Sequence, residues 1–135
     1  MTVADTSVWI DYFNGRVTHQ TDFLDSLLGR EFVAIGDLII TEVLQGFRST
    51  KNFNIAKKLL VSLTIYEMLG VEMAIKSAEN YRKLRQRGIT VRNTSDTIIA
   101  TFCISEGHNL LFSDKDYLPF VKHLGLRPTN PPPVS

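Results

Sequence analysis

The chain has a single cysteine, Cys103, in 135 residues. That excludes an internal disulfide framework and any zinc centre built on several thiolates. Net charge is also scarce. Fifteen Lys and Arg stand against 14 Asp and Glu, leaving +1 at pH 7, without the overall basic excess of many nucleic-acid binders. Long apolar runs are missing: a stretch such as Leu38-Ile39-Ile40 falls far short of the roughly 20 residues that span a bilayer. No basic start precedes an apolar stretch, and Asp5 comes too early for a secretory leader. Together these absences lead to the expectation of a cytoplasmic protein. What is present, 44% hydrophobic and 21% charged residues, is ordinary globular composition, and the length suits one domain with a substantial core.

Apolar periodicity sets out the elements. Strands are expected over residues 2–4, 31–35, 63–66 and 109–112, with a last edge strand at 126–128. Helices are expected over residues 7–13, 21–28, 39–47, 53–60 and 71–87. Two more follow, one from a cap at Thr94 or Ser95 to Gly107 and one over 117–123. In the helix over 71–87, Ala74, Ala78, Tyr81 and Leu84 form the apolar face and Gly88 ends it. Short apolar strands alternating with helices argue for an α/β fold: a single-domain, Rossmann-like sandwich with a central parallel sheet flanked by helices. The domain is expected to span 1–128, followed by a disordered Pro-rich tail over 129–135 that holds Pro131-Pro132-Pro133.

Four acids fall at comparable topological positions. Asp5 follows the first strand and Asp114 the fourth, while Asp96 lies in the first turn of a helix and Glu42 on a helix that follows a strand. In open parallel sheets the ligand crevice lies beyond the carboxyl ends of the strands. Carboxylates gathered there repel one another unless a cation compensates. Mg²⁺ and Mn²⁺ prefer such oxygen donors and support phosphodiester hydrolysis. Each acid also has an ordinary structural reading. Asp5 suits a helix N-cap, Asp96 complements a helix dipole, Glu42 suits a helix surface, and Asp114-Lys115-Asp116 suits a polar turn. Spacing alone leaves both readings open.

The local sequences go further. Val-Ala-Asp-Thr-Ser-Val-Trp-Ile-Asp-Tyr-Phe (3–13) resembles the opening of PIN-domain proteins, in particular the VapC toxins of bacterial toxin–antitoxin pairs. Thr-Glu-Val-Leu-Gln-Gly-Phe-Arg (41–48), Val-Arg-Asn-Thr-Ser-Asp-Thr-Ile-Ile-Ala (91–100) and Asn-Leu-Leu-Phe-Ser-Asp-Lys-Asp-Tyr (109–117) resemble the second, third and fourth motifs of that family, in order. The resemblance implies a PIN fold and a Mg²⁺- or Mn²⁺-dependent endoribonuclease that cuts RNA, such as a tRNA or ribosomal RNA loop, leaving a 5′-phosphate and a 3′-hydroxyl. It implies a VapB-type antitoxin as inhibitory partner, and a homodimer. Carried onto this chain, it makes Asp5, Glu42, Asp96 and Asp114 catalytic. Asp5, Asp96 and Asp114 hold metal, and Glu42 either joins a second ion or orients the attacking water. Thr6, Ser7 and Asp116 are supporting residues. One departure stands out: many relatives have Thr two positions before the fourth aspartate, where this chain has Phe112. Ser113 or Ser7 is expected to supply the missing hydroxyl.

Arg82, Lys83, Arg85, Arg87 and Arg92 are candidates for contact with the RNA backbone, since phosphate neutralisation supplies most sequence-independent affinity; a solvated helix face is the alternative. Trp9, Phe13 and Cys103 read as core. His19, His108 and His123 are expected at the surface, without a catalytic part. A phosphatase of the haloacid-dehalogenase type would need a second Asp two residues after Asp5, where Ser7 stands. The C-terminal acidic pair is the only likeness to a receiver domain. A silent protein-binding module is the non-enzymatic alternative, and all four acids remain here.

Overall fold

The structure, a computed structural model, describes residues 1–30 and 32–129. Among these residues five strands form one sheet: β1 (Thr2–Ala4), β2 (Val33–Gly36), β3 (Thr64–Tyr66), β4 (Asn109–Leu111) and β5 (Arg127–Pro128). Their order is β3-β2-β1-β4-β5, and every pairing is parallel. Around them lie α1 (Thr6–Phe13), α2 (His19–Leu27), α3 (Asp37–Leu44), α4 (Thr50–Val61), α5 (Val71–Gln86), α6 (Thr94–Glu106) and α7 (Leu118–Leu124), with a 3-10 turn over Lys115–Tyr117. The expected α/β sandwich with a central parallel sheet is therefore the fold. No described helix is long and apolar enough to cross a membrane.

The three central strands are short and almost wholly apolar because both faces are covered. Val3, Ala4, Ala34, Ile35, Leu110 and Leu111 are inaccessible to solvent. Register pairs Val3 with both Ala34 and Leu110, and Ala4 with Leu111. The edges are less apolar: β5 holds Pro128, which is tolerated where one side of the strand makes no ladder. From β1 the chain winds outward through β2 to β3, then returns across the sheet to β4 on the other side of β1. The β1/β4 boundary is thus the topological switch point, where a crevice opens beyond the carboxyl ends.

Two joints show how local chemistry holds this geometry. The Asp37 carboxylate accepts from Leu38 N at 2.8 Å and from Met68 N at 3.0 Å, tying the start of α3 to the segment after β3. At Gly36, immediately before, a Cβ would overlap the buried Met68 thioether, so only glycine lets the chain pass. Gly107 ends α6 in the left-handed region, at φ 74°.

Several boundaries differ from expectation. α2 begins at His19, because Thr18 and Thr21 form a reciprocal capping box ahead of the apolar positions. Ser49 caps α4 early, accepting from Asn52 N at 3.2 Å. The residue before α6 is Asn93, so neither Thr94 nor Ser95 is its cap. Ser77 and Leu84 are the buried residues of α5, whereas Ala74 and Ala78 are exposed along an open groove. His108 is buried, 4.9 Å from the Tyr66 ring and 5.5 Å from the Phe102 ring, at the amino end of β4; Phe102 and Tyr66 convert an expected surface histidine into a core one. Thr129 N donates to Leu110 O at 2.9 Å. Glu31 and Pro131–Pro133 lie outside the described residues.

Candidate metal centre

Asp5 sits where β1 ends and α1 begins. Its backbone N donates to Leu111 O at 2.9 Å, which carries the β1/β4 pairing one residue further. Its side chain caps α1: Oδ2 accepts from Ser7 Oγ at 2.8 Å and, more weakly, from Ser7 N at 3.4 Å. The N-cap and site readings of Asp5 are therefore compatible. Thr6, the next residue, donates through Oγ1 to Glu42 Oε1 at 2.7 Å. That bond joins α1 to α3 and fixes one oxygen of a half-buried helix acid, which lies outside the group formed by Asp96, Asp114 and Asp116.

Asp96 enters from α6. It is 9% exposed and lies in the helix's first turn, where a negative charge meets the positive end of the dipole. Asp114 caps the 3-10 turn, its Oδ1 accepting from Asp116 N at 2.9 Å. Carboxylate oxygens of Asp96, Asp114 and Asp116 all lie within 4.8 Å of one another.

Tyr117 completes the arrangement. Its ring is fully buried, with Phe112 at 5.3 Å and Phe120 at 6.4 Å between centroids. Its hydroxyl donates to Asp5 Oδ1 at 2.6 Å and lies 3.2 Å from Asp96 Oδ1. A phenol has one proton, so the shorter contact is the principal bond and the longer one its weaker branch. Sequence reasoning assigned Tyr117 no part in the site. The signal was an aromatic with a polar end, three residues after a site aspartate.

The electrostatics follow from burial. Loss of water, opposed by the Tyr117 and Ser7 hydrogen bonds, pushes the Asp5 carboxyl above its ordinary value. Burial, then the neighbouring Asp5 charge, pushes Asp96 up to about 6. The Cys103 thiol is pushed up to about 12, by burial first and Asp5 second, which makes it an inert core group. Tyr117 is raised by burial and by both carboxylates, and stays a phenol that can only donate to them.

Crowded acids of this kind are disfavoured as anions until a cation joins them. The donor set fits a hard divalent cation, since every candidate ligand is a carboxylate oxygen. Asp96 Oδ2 is moreover buried without a hydrogen-bond partner, although buried polar atoms are otherwise nearly always satisfied. Of the expected supporting groups, Ser7 and Thr6 hold Asp5 and Glu42, while Ser113 is exposed. The place of the absent threonine is filled by the buried Phe112, and the Asp5–Asp96 pair receives its hydroxyl from Tyr117.

The five basic candidates do not all line one groove. Arg82 and Arg85 line a groove of about 500 Å³ between α5 and the start of α6, with Tyr81, Thr94 and Thr97. The Arg85 guanidinium lies 5.6 Å from the Tyr81 ring centroid. Lys83 lies on the opposite flank of α5, beside Asn80 and Thr101. Arg87 and Arg92 are exposed, at the end of α5 and in the loop before α6.

A carboxylate cluster at the switch point of a doubly wound parallel sheet defines an α/β protein with a group of acids that could hold a cation. The PIN-domain family model matches residues 2–122. The chain is 30% identical over 122 residues to Ribonuclease VapC11 of Mycobacterium tuberculosis and to VapC ribonuclease Mb1587 of Mycobacterium bovis, covering 87% of this chain and 89% of each relative. Among solved structures it is similar to VapBC2 from Rickettsia felis, bound to a DNA fragment from their promoter. There the TM-score is 0.75 at 19% identity, over 96% of this chain and 97% of the other. VapBC-1 from nontypeable Haemophilus influenzae gives 0.72 at 16% identity, over 96% of both. The chain belongs to the PIN-domain family, on the side of it that holds the VapC ribonucleases.

Proposed function

We propose that this protein is a divalent-metal-dependent endoribonuclease, the toxin of a toxin–antitoxin pair. The observation that carries this is the cluster of Asp96, Asp114 and Asp116 at the switch point, with Asp5 beside it and Asp96 Oδ2 left without a partner. The ribonuclease names of its full-length relatives support the same reading. Mg²⁺ or Mn²⁺ is the cation, held by Asp96 and Asp114 with Asp5 and Asp116 completing the anionic wall. A cation bound there supplies positive charge against the phosphoryl oxygens and makes water a better nucleophile near neutral pH.

The protein's own groups do the rest. Thr6 holds the Glu42 carboxylate through Oε1, so Oε2 is the oxygen that accepts the proton of the attacking water. Water adds to phosphorus, the bond to the 3′-oxygen breaks, and that oxygen leaves with a solvent proton, giving a 5′-phosphate and a 3′-hydroxyl. Arg82 and Arg85, with Arg92 closest in sequence to Asp96, draw the RNA backbone to the groove by phosphate neutralisation. Lys83 and Arg87 add long-range attraction only.

The partners follow from the same family. Both neighbouring structures are VapBC complexes, so the partner proposed here is a VapB-type antitoxin that covers the acidic site, with the toxin itself a homodimer. A toxin that cuts cellular RNA acts in the cytoplasm. The whole of residues 1–128 serves as one catalytic domain.

The test is cleavage of total cellular RNA by antitoxin-free protein, with Mn²⁺, Mg²⁺ or EDTA, beside Asp96→Ala. Discrete fragments that need the metal and vanish in the variant are expected. Cleavage that persists in EDTA and in Asp96→Ala would overturn the proposal.

A further inference from the structure

Tyr117 poses a question that packing does not answer. The space between Phe112 and Phe120 accepts an aromatic ring, and a phenylalanine ring would fill it as well. A fully buried hydroxyl costs stability unless it is hydrogen-bonded. Its partners here are the carboxylates of Asp5 and Asp96, which arrive from sequence positions 112 and 21 residues away. The hydroxyl therefore has no role in the core that a ring alone lacks. Its role lies between the two acids.

The bonds divide the carboxylate oxygens. Asp5 has a donor on each oxygen, Tyr117 on Oδ1 and Ser7 on Oδ2. Asp96 receives the Tyr117 hydroxyl on Oδ1 and has the Asn93 side chain as a weaker donor nearby, while its Oδ2 is buried without a hydrogen bond of good geometry. A carboxylate free to turn could offer either oxygen, or both. One pinned through Oδ1 offers the other in a set direction.

The position of the hydroxyl is itself over-determined. Asp114 caps the turn that delivers Tyr117, two aromatic neighbours hold the ring, and α7 starts at the next residue. Such a donor is rigid, which is what a group that orients a ligand must be.

We propose that Tyr117 is the positioning residue of the cation site: its hydroxyl ties Asp5 Oδ1 to Asp96 Oδ1, and so commits Asp96 Oδ2 to the cation. This rests on the metal-dependent reading above. Tyr117 touches neither the cation nor RNA. It acts through the two aspartates, by keeping them in place before the cation arrives.

The experiment is calorimetric titration of Mn²⁺ into purified full-length protein, native and Tyr117→Phe, with melting curves in EDTA and steady-state cleavage kinetics on one RNA. The variant keeps the ring and is expected to fold. Its Mn²⁺ dissociation constant should rise about 10- to 100-fold, the usual effect of removing a group that orients a metal ligand. At saturating Mn²⁺ its kcat should fall while KM for RNA stays within about twofold, since no RNA contact is lost. A core residue without this role would change the melting curve and leave Mn²⁺ affinity alone. Equal or tighter Mn²⁺ binding by Tyr117→Phe overturns the proposal. Mn²⁺ binding by neither protein overturns it together with the metal reading, whereas binding by the native chain separates the two.

Nuclear magnetic resonance of the native protein gives a second measurement that needs no variant. The Tyr117 hydroxyl proton, identified by its proximity to its own ring protons, should remain hydrogen-bonded when Mg²⁺ saturates the site. Its release to solvent on adding Mg²⁺ would overturn the proposal.

Discussion

The Thr6 hydroxyl donates to Glu42 Oε1 at 2.7 Å, across 36 residues of sequence. Thr6 directly follows Asp5, so one dipeptide at the end of β1 holds two of the four acids: Asp5 by its own backbone and Glu42 by its neighbour's side chain. Removing the hydroxyl with Thr6→Val should release Glu42 without touching the metal ligands. A general base contributes about 10²- to 10⁴-fold, so Glu42→Gln should lower kcat by at least about 100-fold. Thr6→Val should cost about tenfold, with Mn²⁺ affinity unchanged. Calorimetry beside cleavage kinetics checks both; a loss of Mn²⁺ binding in Thr6→Val would place Glu42 among the primary ligands instead.

The raised Asp96 carboxyl gives a pH dependence with a definite sign. Its value in the fold is about 6 against 3.8 ordinarily, so the folded protein binds this proton more tightly than the unfolded chain does. The resulting stabilisation is complete below about pH 4 and is lost as pH rises through about 6. In EDTA, native protein should therefore lose roughly 2–3 kcal/mol relative to Asp96→Asn between about pH 4 and pH 7. Asp5 is raised as well and acts in the same direction. Mn²⁺ should reverse the trend, because the proton and the cation compete for the same group. Urea unfolding of both proteins across this range decides the matter, and a native-minus-variant difference that stays flat would contradict it.

Asp116 is brought into the three-carboxylate cluster with Asp96 and Asp114, a closer place than that of a distant support. Asp116→Asn should weaken Mn²⁺ by about tenfold or more, within the range of groups that hold or orient a ligand. Asp114→Asn should do at least as much while leaving the 3-10 turn capped, because an amide oxygen still accepts from Asp116 N. An Asp116→Asn protein with native Mn²⁺ affinity would return Asp116 to the role of a polar turn residue.

Arg82 and Arg85 share a groove that Lys83 does not line. Replacing both arginines with Ala should weaken RNA binding and lower the slope of log affinity against log salt by about 1.4, at roughly 0.7 per phosphate contact on a single strand. Lys83→Ala should leave the slope nearly unchanged. Binding of a fluorescent RNA to an uncleaving Asp96→Asn background, across a salt series, reads this directly. Equal effects at all three positions would mean a diffuse field rather than a contact path.

Gly36 lies against the buried Met68 side chain at the β2–α3 joint. Gly36→Ala forces that thioether aside and should cost about 1–3 kcal/mol, the usual penalty for overpacking. Gly46→Ala, where a Cβ meets its nearest neighbour at an ordinary 3.6 Å, should cost much less. Urea denaturation of the two variants provides the comparison.

Periodicity carried the order and kind of the elements well, because a strand buried on both faces must be apolar and a helix must bury a stripe. It was weakest where only neighbours decide. Ala74 and Ala78 fit the apolar stripe of α5, yet Ser77 and Leu84 are its buried positions and the two alanines line the open groove. His108 reads as a polar loop residue until Tyr66 from β3 and Phe102 from the preceding helix pack beside it. The start of α2 escaped for a different reason. Its signal is the hydroxyl pair Thr18 and Thr21, which lies ahead of the apolar positions that announce a helix.

The sequence by itself determined the strand–helix alternation, the family, and which carboxylates stand at strand ends and helix starts. These are local properties, set by apolar periodicity and by short motifs that each fit in about ten residues. Tertiary structure alone decided which oxygens meet. Asp5 and Tyr117 are 112 residues apart, and only the return of the chain to β4 beside β1 brings that hydroxyl within 2.6 Å of that carboxylate. The same return leaves Asp96 Oδ2 buried, without a hydrogen bond of good geometry, among its acidic neighbours. Hydrogen bonds act over a few ångströms in space and are indifferent to separation along the chain, so a motif can name the acids but not the donor that sets their directions.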